Sequence, residues 1–220
     1  MMTVQAMYDL THTRARSLLE SVTYPWEALD GIGEAIMQLG RALDPEAYDH
    51  PQENVWIAKS AAVAPTASIT GPCIIGEKTE VRQCAFIRGN ALVGDGCVVG
   101  NSTELKNVIL FDGVQVPHYN YVGDSILGWH SHMGAGSITS NVKSDKSLVV
   151  IHDGQERMET GRKKVGAMLA DDVEIGCGSV LNPGTVVGKG SRVYPLTSVR
   201  GVIPAGHICK QDGTKVEIRK

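Results

Sequence analysis

The most regular feature of the chain is an apolar residue at every sixth position, beginning at residue 57. The positions at this spacing are Ile57, Val63, Ile69, Ile75, Val81, Ile87, Val93, Val99, Leu105 and Phe111, followed by the exception, Pro117. Small residues stand two positions before the next large apolar residue. They are Ala61, Ala67, Cys73, Thr79, Ala85, Ala91, Cys97 and Thr103. A period of six is not that of a helix, and simple strand alternation does not require it.

A six-residue period is typical of the hexapeptide β-helix, in which each coil is a triangle with the large apolar residue pointing inward. The pattern therefore predicts an all-β solenoid, a left-handed parallel β-helix, over residues 55–206. Three hexapeptides complete one coil, so each residue should stack on the residue three hexapeptides earlier, about 4.8 Å away on the same face.

Two irregularities interrupt the period. It slips by about one residue near Tyr121–Ile126, breaks at Asn141 and returns at Leu169. Residues 142–164 are polar and out of phase, so we interpret them as an inserted loop, with a strand over Ser147–Ile151 and a hairpin turn over residues 152–154. Loops of this kind on a solenoid are usually functional faces or subunit contacts. After residue 206 we expect a tail, 207–220, with a final strand over 214–219.

Residues 1–54 have a helical pattern instead. A short helix is predicted over Thr11–Ser21, and a second begins at Pro25, which suits a first helical turn. Apolar residues of the second helix recur at helical spacing, at Leu29, Ile32, Ile36, Leu39 and Leu43. We expect this face to pack on the β-helix or on a neighbouring subunit, and binding of another protein is the alternative. Residues 48–54 are interpreted as a linker.

Composition and charge narrow the possible partners. The chain has 220 residues, a net charge of −3 and no long basic run, which argues against nucleic acid. No apolar run approaches the ~18 residues of a membrane span, and the N-terminus lacks the apolar core of a signal peptide. The five cysteines lack CxxC spacing. We therefore expect reduced, mostly buried thiols and a cytoplasmic location, without membrane association.

Two cations, Arg88 and Lys106, are separated by three hexapeptides within the regular repeat and should stack in one column. Two stacked cations repel each other unless an anion lies beside them, and one phosphate would satisfy both, with arginine as a fork and lysine as a point charge. The alternatives are that both side chains extend into water or that an acid such as Glu104 pairs with them.

Histidines cluster in the stretch 117–141. His118 lies one coil beyond Gly100, which should leave open space around it, so His118 is a candidate general base. A structural role for His118 is the alternative. His130 and His132 could share a face and bind a metal with His118, but no carboxylate or cysteine completes such a ligand set, and we expect no metal.

Several blocks resemble the acetyltransferase domain of the bifunctional sugar-1-phosphate nucleotidyltransferases. They are VGNSTELK at 99–106, HYNYVGD at 118–124, GAGSITSN at 134–141 and VGKG at 187–190, with GRKK at 161–164 resembling archaeal-type members. The resemblance covers about residues 55–205. It implies a left-handed β-helix, a homotrimer with active sites between subunits, and transfer of an acetyl group from acetyl-CoA to an amino-sugar 1-phosphate.

The resemblance also implies roles for individual residues. His118 is the base that takes the proton from the sugar amine, and Asn141 assists at the reacting centre. Substrate binding is implied for Arg88 and Lys106 at the phosphate, for Tyr121, and for Lys146, with Lys143 as its competitor. Coenzyme A binding is implied for Gly134, Ala135 and Gly136. Lys163 and Lys164, with Arg162, would contact coenzyme A phosphates in a neighbouring subunit's cleft, or form a solvated loop.

The chain departs from the family pattern at three places. Val142 replaces a tyrosine that follows Asn141 in the uridyltransferase version, and His132 stands where the family usually has asparagine. Residues 1–54 are too short for a nucleotidyltransferase domain and lack its Gly-rich loop, so we expect no sugar-nucleotide synthesis by this chain alone. The alternative functions are a non-catalytic sugar-phosphate or sugar-nucleotide binding module that partners a separate nucleotidyltransferase, and a trimeric metalloenzyme of the carbonic-anhydrase type.

Overall fold

The computed structural model describes residues 2–219 and has the predicted architecture, a parallel β-helix with three stacked faces. Face 1 consists of Ser68–Ile69, Phe86–Ile87, Ile138–Thr139, Val180–Leu181 and Ser198–Val199. Face 2 consists of Val55–Ala58, Cys73–Ile75, Ala91–Val93, Ala167–Leu169, Thr185–Val187 and Val202–Ile203. Two long strands, Glu104–Leu110 and Tyr121–Leu127, run from face 1 into face 2.

Face 3 consists of Ala62–Val63, Glu80–Val81, Val98–Asn101, Gln115–His118, His132–Met133, Glu174–Ile175, Arg192–Val193 and His207–Cys209. The strand Lys215–Glu217 closes this face in antiparallel fashion, where a final strand was expected. Because His207–Cys209 still pairs in parallel with Arg192–Val193, the β-helix extends past residue 206, the predicted end.

Buried apolar columns fill the interior, as the six-residue period predicts. Ile87 and Leu105 stack on face 1 and Val81 and Val99 on face 3, and all four are at most 1% exposed. The small residues of the repeat lie at the corners, where a buried polar side chain can still form a hydrogen bond. The buried Thr103 hydroxyl, for example, donates to the Val116 carbonyl at 2.9 Å.

The coil becomes one residue shorter, and it does so earlier than predicted. Leu105 pairs with Ile87 of the preceding coil at the full spacing of three hexapeptides, but with Val122 of the following coil at a spacing one residue shorter. Val108 already pairs with Ala91 of the preceding coil at the shorter spacing, so one residue is lost between Leu105 and Val108, at the corner between faces 1 and 2. The slip predicted near Tyr121–Ile126 is therefore one coil too late.

This early slip changes which residues point inward. Leu110 and Val116, rather than the predicted Phe111 and Pro117, continue the columns of Val93 and Val99. Phe111 is instead buried against Tyr8 of the N-terminal segment, with ring centroids 5.0 Å apart. The sequence period misleads here because an apolar residue next to an inward position can be buried by an outer layer.

The N-terminal segment contains the α-helices Val4–Met7, Arg16–Glu20 and Ile32–Ala42 and the 3-10 helices Leu10–His12 and Pro25–Gly31. The predicted helix over Thr11–Ser21 is thus two short pieces. Ile32 and Ile36 are buried, and a Cβ added to Gly40 would lie 2.4 Å from the Trp56 ring of face 2. The amphipathic helix therefore packs on the chain's own β-helix, against the face 2 strands Cys73–Ile75 and Ala91–Val93 and the strand Glu104–Leu110.

The predicted linker is a strand, because Tyr48–Gln52 pairs in antiparallel fashion with Val55–Ala58. The register shifts between Asp49 and Gln52, where Pro51 lies. Proline cannot donate to a ladder, so it is confined to edge strands and bulges, and a polar segment with proline can still form an edge strand there.

The inserted loop carries a hairpin of strands Val150–Asp153 and Glu156–Glu159. Its turn is at residues 154–155, and its first strand begins later than predicted. Val149 and Ile151 are buried next to Gly184, where an added Cβ would lie 2.7 Å from the Val149 side chain. The base of the insert is therefore packed on the β-helix rather than free in solvent.

All five cysteines are free thiols, and Cys73, Cys97 and Cys209 are buried. Burial raises the pKa of Cys73 and of Cys97 to about 12. Among residues 2–219 we find no helix with the length and apolar character needed to cross a membrane.

Gly100 generates a prediction about stability. An added Cβ would lie 1.5 Å from the Pro117 carbonyl oxygen on the next coil. We expect Gly100→Ala to lower the free energy of unfolding by about 3 kcal/mol, the upper range for overpacking a core. Denaturant titration measures the loss.

The matched control is Gly96→Ala, because that glycine has no neighbour within 4 Å and only its φ of +63° opposes a side chain. The control should lose about 1 kcal/mol, the cost of a left-handed residue. Equal losses in the two variants would contradict the close approach of the coils at Gly100.

Candidate active site

Arg88 and Lys106 stack as predicted, because Phe86–Ile87 pairs with Glu104–Leu105 at the full spacing of three hexapeptides and the Arg88 amide donates to the Leu105 carbonyl at 2.9 Å. Each cation also has a carboxylate partner. Arg88 Nη1 lies 2.7 Å from Glu104 Oε1, and Lys106 Nζ lies 3.6 Å from Asp124 Oδ2. The column is thus partly neutralised by acids, which was the alternative considered for Glu104.

Asp124 is the centre of this corner. Its side chain is only 7% exposed, yet it accepts hydrogen bonds from Asn107 Nδ2 at 3.0 Å and Asn141 Nδ2 at 2.5 Å, besides its contact with Lys106. Asn107 and Asp124 have φ values of 54° and 47°, a left-handed conformation that asparagine and aspartate tolerate better than most residues. The shortened corner therefore brings Lys106 and Asn141 to one carboxylate.

Tyr121 belongs to the same group. Its hydroxyl oxygen lies 3.3 Å from Asn141 Nδ2, and its partial burial, with the charge of Asp124 nearby, raises the pKa of the phenol above its usual value. A Cβ on Gly123 would lie 2.5 Å from the Tyr121 hydroxyl and 3.0 Å from Asn141 Nδ2. Glycine at this position is what allows Tyr121 and Asn141 to meet.

Two adjoining cavities open at this corner. One, of about 350 Å³, is lined by Leu29, Asp30, Gly71, Pro72, Arg88, Gly89, Asn90, Lys106 and Asn107. The other, of about 400 Å³, is lined by Leu29, Asp30, Asn107, Asp124, Gly161, Arg162, Lys163 and Lys164. They share Leu29, Asp30 and Asn107, so they form one polar cleft, which we call the acceptor cleft.

The N-terminal segment and the inserted loop meet at the acceptor cleft. Arg162 Nη1 forms an ion pair with Asp30, and Arg162 Nη2 donates to the Glu27 carbonyl at 3.1 Å. Leu29 and Asp30 end the 3-10 helix Pro25–Gly31. The cleft therefore has walls from three parts of the chain that are far apart in sequence.

His118 lies at another corner, the one between faces 3 and 1, at the end of Gln115–His118. It is exposed. Its backbone is held firmly: its carbonyl accepts from the Gly136 amide at 3.0 Å, and its amide donates to Asn120 Oδ1 at 3.1 Å. The imidazole is thus free to reach a ligand while the main chain that carries it is fixed.

The prediction that Gly100 leaves open space beside His118 is wrong. His118 pairs with Asn101, because the coil here is the shorter one, and Gly100 lies under Pro117. Gly100 permits close approach of two backbones instead of making room for the imidazole.

The predicted coenzyme A turn adjoins His118. Asn120, only 2% exposed, donates to the carbonyls of Gly134 at 2.9 Å and Ser137 at 3.0 Å. Gly136 has a φ of +69° and no atom within 4 Å of an added Cβ, so its outer side is open. His118, Gly134, Ala135 and Gly136 therefore form one group, separated from the acceptor cleft by face 1.

The other two histidines of the stretch are engaged elsewhere. His130 stacks on Trp129 at 4.0 Å between ring centroids and lies 3.9 Å from Asp172, and His132 Nδ1 lies 2.5 Å from Glu174 Oε1. Within residues 2–219 no three histidine, cysteine or carboxylate side chains gather with the geometry of a metal site.

The lysines predicted to bind substrate or coenzyme A lie in different parts of the structure. Lys163 and Lys164 line the acceptor cleft, away from the Gly134–Gly136 turn of the same chain. Lys143 Nζ contacts Ser147 Oγ at 2.5 Å and lines a different cavity with Asn182 and Arg200. Lys146 is exposed in a turn and lines none of these cavities.

Sequence reasoning missed four residues of these groups: Asp30, Asn107, Asn120 and Asp124. Asp124 gave a signal, because it lies within the predicted slip at Tyr121–Ile126 and aspartate tolerates positive φ. Asn107 also tolerates positive φ, but Phe111 continues the six-residue period past it. Asn120 was visible only as a polar residue between two tyrosines. Nothing in the sequence indicates that Asp30, on a helical turn in the N-terminal segment, reaches the cleft beside Arg88.

Comparison with known proteins supports the resemblance found in the sequence. The profile of the family described as the GMPPB C-terminal domain matches residues 69–188. A bifunctional sugar-1-phosphate nucleotidylyltransferase/acetyltransferase from Sulfurisphaera tokodaii is 29% identical over 126 residues, 57% of this chain and 31% of that protein. The bifunctional protein GlmU from Methanococcus aeolicus is 34% identical over 185 residues, 76% of this chain and 41% of that protein.

The solved structures that are similar to this chain include an N-acyltransferase and an acetyltransferase domain. AntD, an N-acyltransferase from Bacillus cereus in complex with dTDP and 3-hydroxybutyryl-CoA, has a TM-score of 0.43 at 19% identity, over 76% of this chain and 81% of that one. The acetyltransferase domain of PglB from Neisseria gonorrhoeae, with acetyl coenzyme A, has a TM-score of 0.33 at 17% identity, over 72% and 55%. The chain spans less than half the length of the two curated relatives above.

The burial of Asp124 generates a prediction. Asp124→Ala leaves the half-buried Asn107 and Asn141 amides without their shared acceptor, and the loss of a hydrogen bond to a charged group costs about 1.5–3 kcal/mol. We expect the free energy of unfolding, measured in urea, to fall by about 3 kcal/mol. The control is Asp49→Ala at an exposed position, which should change it by at most about 0.5 kcal/mol. A loss at Asp124 no larger than that at Asp49 would contradict the buried network.

Proposed function

This chain belongs to the GMPPB C-terminal domain family, and we propose that it is an N-acetyltransferase that transfers the acetyl group of acetyl-CoA to the amine of an amino-sugar 1-phosphate. The observation that carries the proposal is the column of Arg88 and Lys106 facing the acceptor cleft. Relatives named as nucleotidylyltransferase/acetyltransferases support the reaction class. Free thiols at all five cysteines suit a reducing compartment, and we place the protein in the cytoplasm.

In this proposal Arg88 and Lys106 hold the phosphate, a task for which Glu104 and Asp124 keep both side chains oriented. Asn141 and Tyr121 face the sugar. His118 is the general base: its imidazole takes a proton from the amine as the nitrogen attacks the thioester carbonyl. The tetrahedral intermediate then collapses, the carbon–sulfur bond breaks, and the imidazolium returns the proton to the departing thiolate. The products are the N-acetyl sugar phosphate and coenzyme A.

The groups assigned to this site lie at two different corners of one chain. His118 ends the face 3 strand Gln115–His118, whereas Gly123, the face 1 neighbour of Lys106, lies beyond the corner at Tyr119. The amine of an amino-sugar 1-phosphate lies only a few bonds from its phosphate, and a base must come within about 3 Å of the proton that it takes. We therefore propose that the His118 that serves one acceptor cleft comes from another subunit.

We assign the assembly as a homotrimer, in which the face 1–face 2 corner of one subunit meets the face 3–face 1 corner of the next. The N-terminal segment and the inserted hairpin pack on face 2, which leaves faces 1 and 3 for contact. Exposed apolar side chains support this arrangement: Tyr119 and Leu196, at the same corner as His118, are 61% and 74% exposed, and Phe86 on face 1 is 43% exposed. Closed cyclic symmetry is the usual way for such complementary corners to meet.

Mixing two inactive variants tests the shared site. His118→Ala removes a general base, which contributes about 10²–10⁴-fold. Arg88→Ala/Lys106→Ala removes two phosphate contacts of about 1.5–3 kcal/mol each. Each homotrimer should therefore lose at least about 100-fold in kcat/KM. After unfolding and refolding an equal mixture, about one quarter of the sites of a cyclic trimer would combine an intact His118 with an intact cation pair. We therefore expect about a quarter of wild-type turnover.

The control is the same refolding of each variant alone, with the trimer verified by light scattering. No recovery in the mixture, with mixed trimers present, would contradict the site between subunits. Near-normal turnover by His118→Ala alone would contradict the mechanism. If the chain bound a sugar phosphate but acetyl-CoA did not raise its melting temperature, the non-catalytic binding module would replace the enzyme.

A further inference from the structure

Asn120 departs from the repeat at the corner that carries His118. The corner between faces 3 and 1 contributes one small residue from each coil, and these residues stack in a column. Asn120 lies between Thr103 and Ser137 in this column and brings an amide group where the other members have a methyl, a hydroxyl or both. The other members are Ala67, Ala85, Thr103, Ser137, Ser179 and Thr197.

A hydroxyl group is enough to close this corner. The Thr103 hydroxyl donates to the Val116 carbonyl at 2.9 Å and accepts from the Asn120 amide at 3.3 Å. In a later coil the Ser179 hydroxyl likewise donates to the carbonyl of Tyr194 at 3.1 Å. Closing the corner therefore does not by itself require an asparagine.

The side-chain amide of Asn120 adds a link between the base and the predicted coenzyme A turn. Its Oδ1 accepts from the His118 amide at 3.1 Å, and its Nδ2 donates to the carbonyls of Gly134 at 2.9 Å and Ser137 at 3.0 Å. The Gly136 amide donates to the His118 carbonyl at 3.0 Å, which ties the same two segments together directly. One planar group thus holds the main chain of His118 at a fixed distance from the turn.

Burial makes this link rigid. Asn120 is 2% exposed, and both of its N–H groups and its carbonyl oxygen are bonded, so the amide has one satisfied orientation. Gly134 and Ser137 are buried, whereas Ala135 and Gly136 between them are exposed. The turn therefore projects outward from two anchor points, and both of them bind Asn120.

We propose that Asn120 is a positioning residue for acetyl transfer, which sets the distance between the His118 imidazole and the thioester of an acyl donor bound at the Gly134–Gly136 turn. The inference rests on the proposed function for the roles of His118 and of the turn. The base and the acyl donor then form a preassembled pair on one subunit, to which the acceptor cleft of the neighbouring subunit brings the amine. Misplacing reacting groups by about 1 Å can cost about 10²-fold in rate, so losing this link acts mainly on turnover.

The experiment is steady-state kinetics of Asn120→Ser, which keeps a corner hydroxyl and removes the link to His118. We expect kcat to fall at least about tenfold, while the KM for the amino-sugar 1-phosphate changes by less than about twofold. The matched control is Thr79→Val, at the corner between faces 2 and 3. It removes a buried hydroxyl that donates to the Gly94 carbonyl at 2.8 Å and should keep kcat within about twofold of the wild-type value.

The same substitution in the His118→Ala background separates positioning from a general structural role. There Asn120→Ser should change the residual kcat by less than about twofold, because no base remains to be positioned. Equal losses of kcat in the two backgrounds would overturn the inference, and so would an Asn120→Ser single variant with wild-type kcat. Near-normal turnover by His118→Ala would instead contradict the proposed function, so the two failures are read from different variants.

Discussion

One tight corner, where a coil loses a residue, governs the geometry of the acceptor cleft. At Asn107 and Asp124 the chain turns from face 1 to face 2 inside a continuous strand, with positive φ at both residues. A left-handed residue costs roughly 1–2 kcal/mol. Hydrogen bonds from Asn107 and Asn141 to the buried Asp124 carboxylate offset that cost, and the same carboxylate orients Lys106. The corner is thus both the strained part of the solenoid and the part that gathers polar side chains.

The three-sided section of the β-helix then decides what a single chain can do. Side chains at one corner meet those of the neighbouring coils at that corner, while those of the next corner lie a full face away. Arg88, Lys106 and Asn141 accordingly share one corner, and His118 and the Gly134–Gly136 turn share another. In the proposed homotrimer, contact between subunits would bring the two groups to one ligand.

The repeat was predictable from the sequence because the interior of the prism accepts only one class of residue at each step, which leaves a period of six. The stacking of Arg88 on Lys106 followed from that period alone. The slip at Asn107 was placed one coil late, because Phe111 is apolar for another reason, its contact with Tyr8. Once the register was wrong by one residue, Gly100 was assigned to His118 instead of Pro117.

Contacts between distant segments could not be predicted in this way. Asp30 reaches Arg162 because an N-terminal turn and an inserted loop happen to meet over the same corner, and no local pattern records that meeting. The edge strand Tyr48–Gln52 was not predicted because it contains Pro51. Its proline is accommodated by the irregular register against Val55–Ala58, which is also a tertiary feature. The periodic part of the fold can be predicted from the local sequence, whereas the walls of the cleft depend on contacts between distant segments.

A crystal structure of the protein with acetyl-CoA and an amino-sugar 1-phosphate bound would show whether the two corners of neighbouring subunits hold one pair of substrates. We expect the sugar phosphate on Arg88 and Lys106 of one subunit, with the amine and the thioester within hydrogen-bonding reach of His118 of its neighbour. A thioester bound away from every His118, or a phosphate bound away from the Arg88–Lys106 column, would contradict this arrangement.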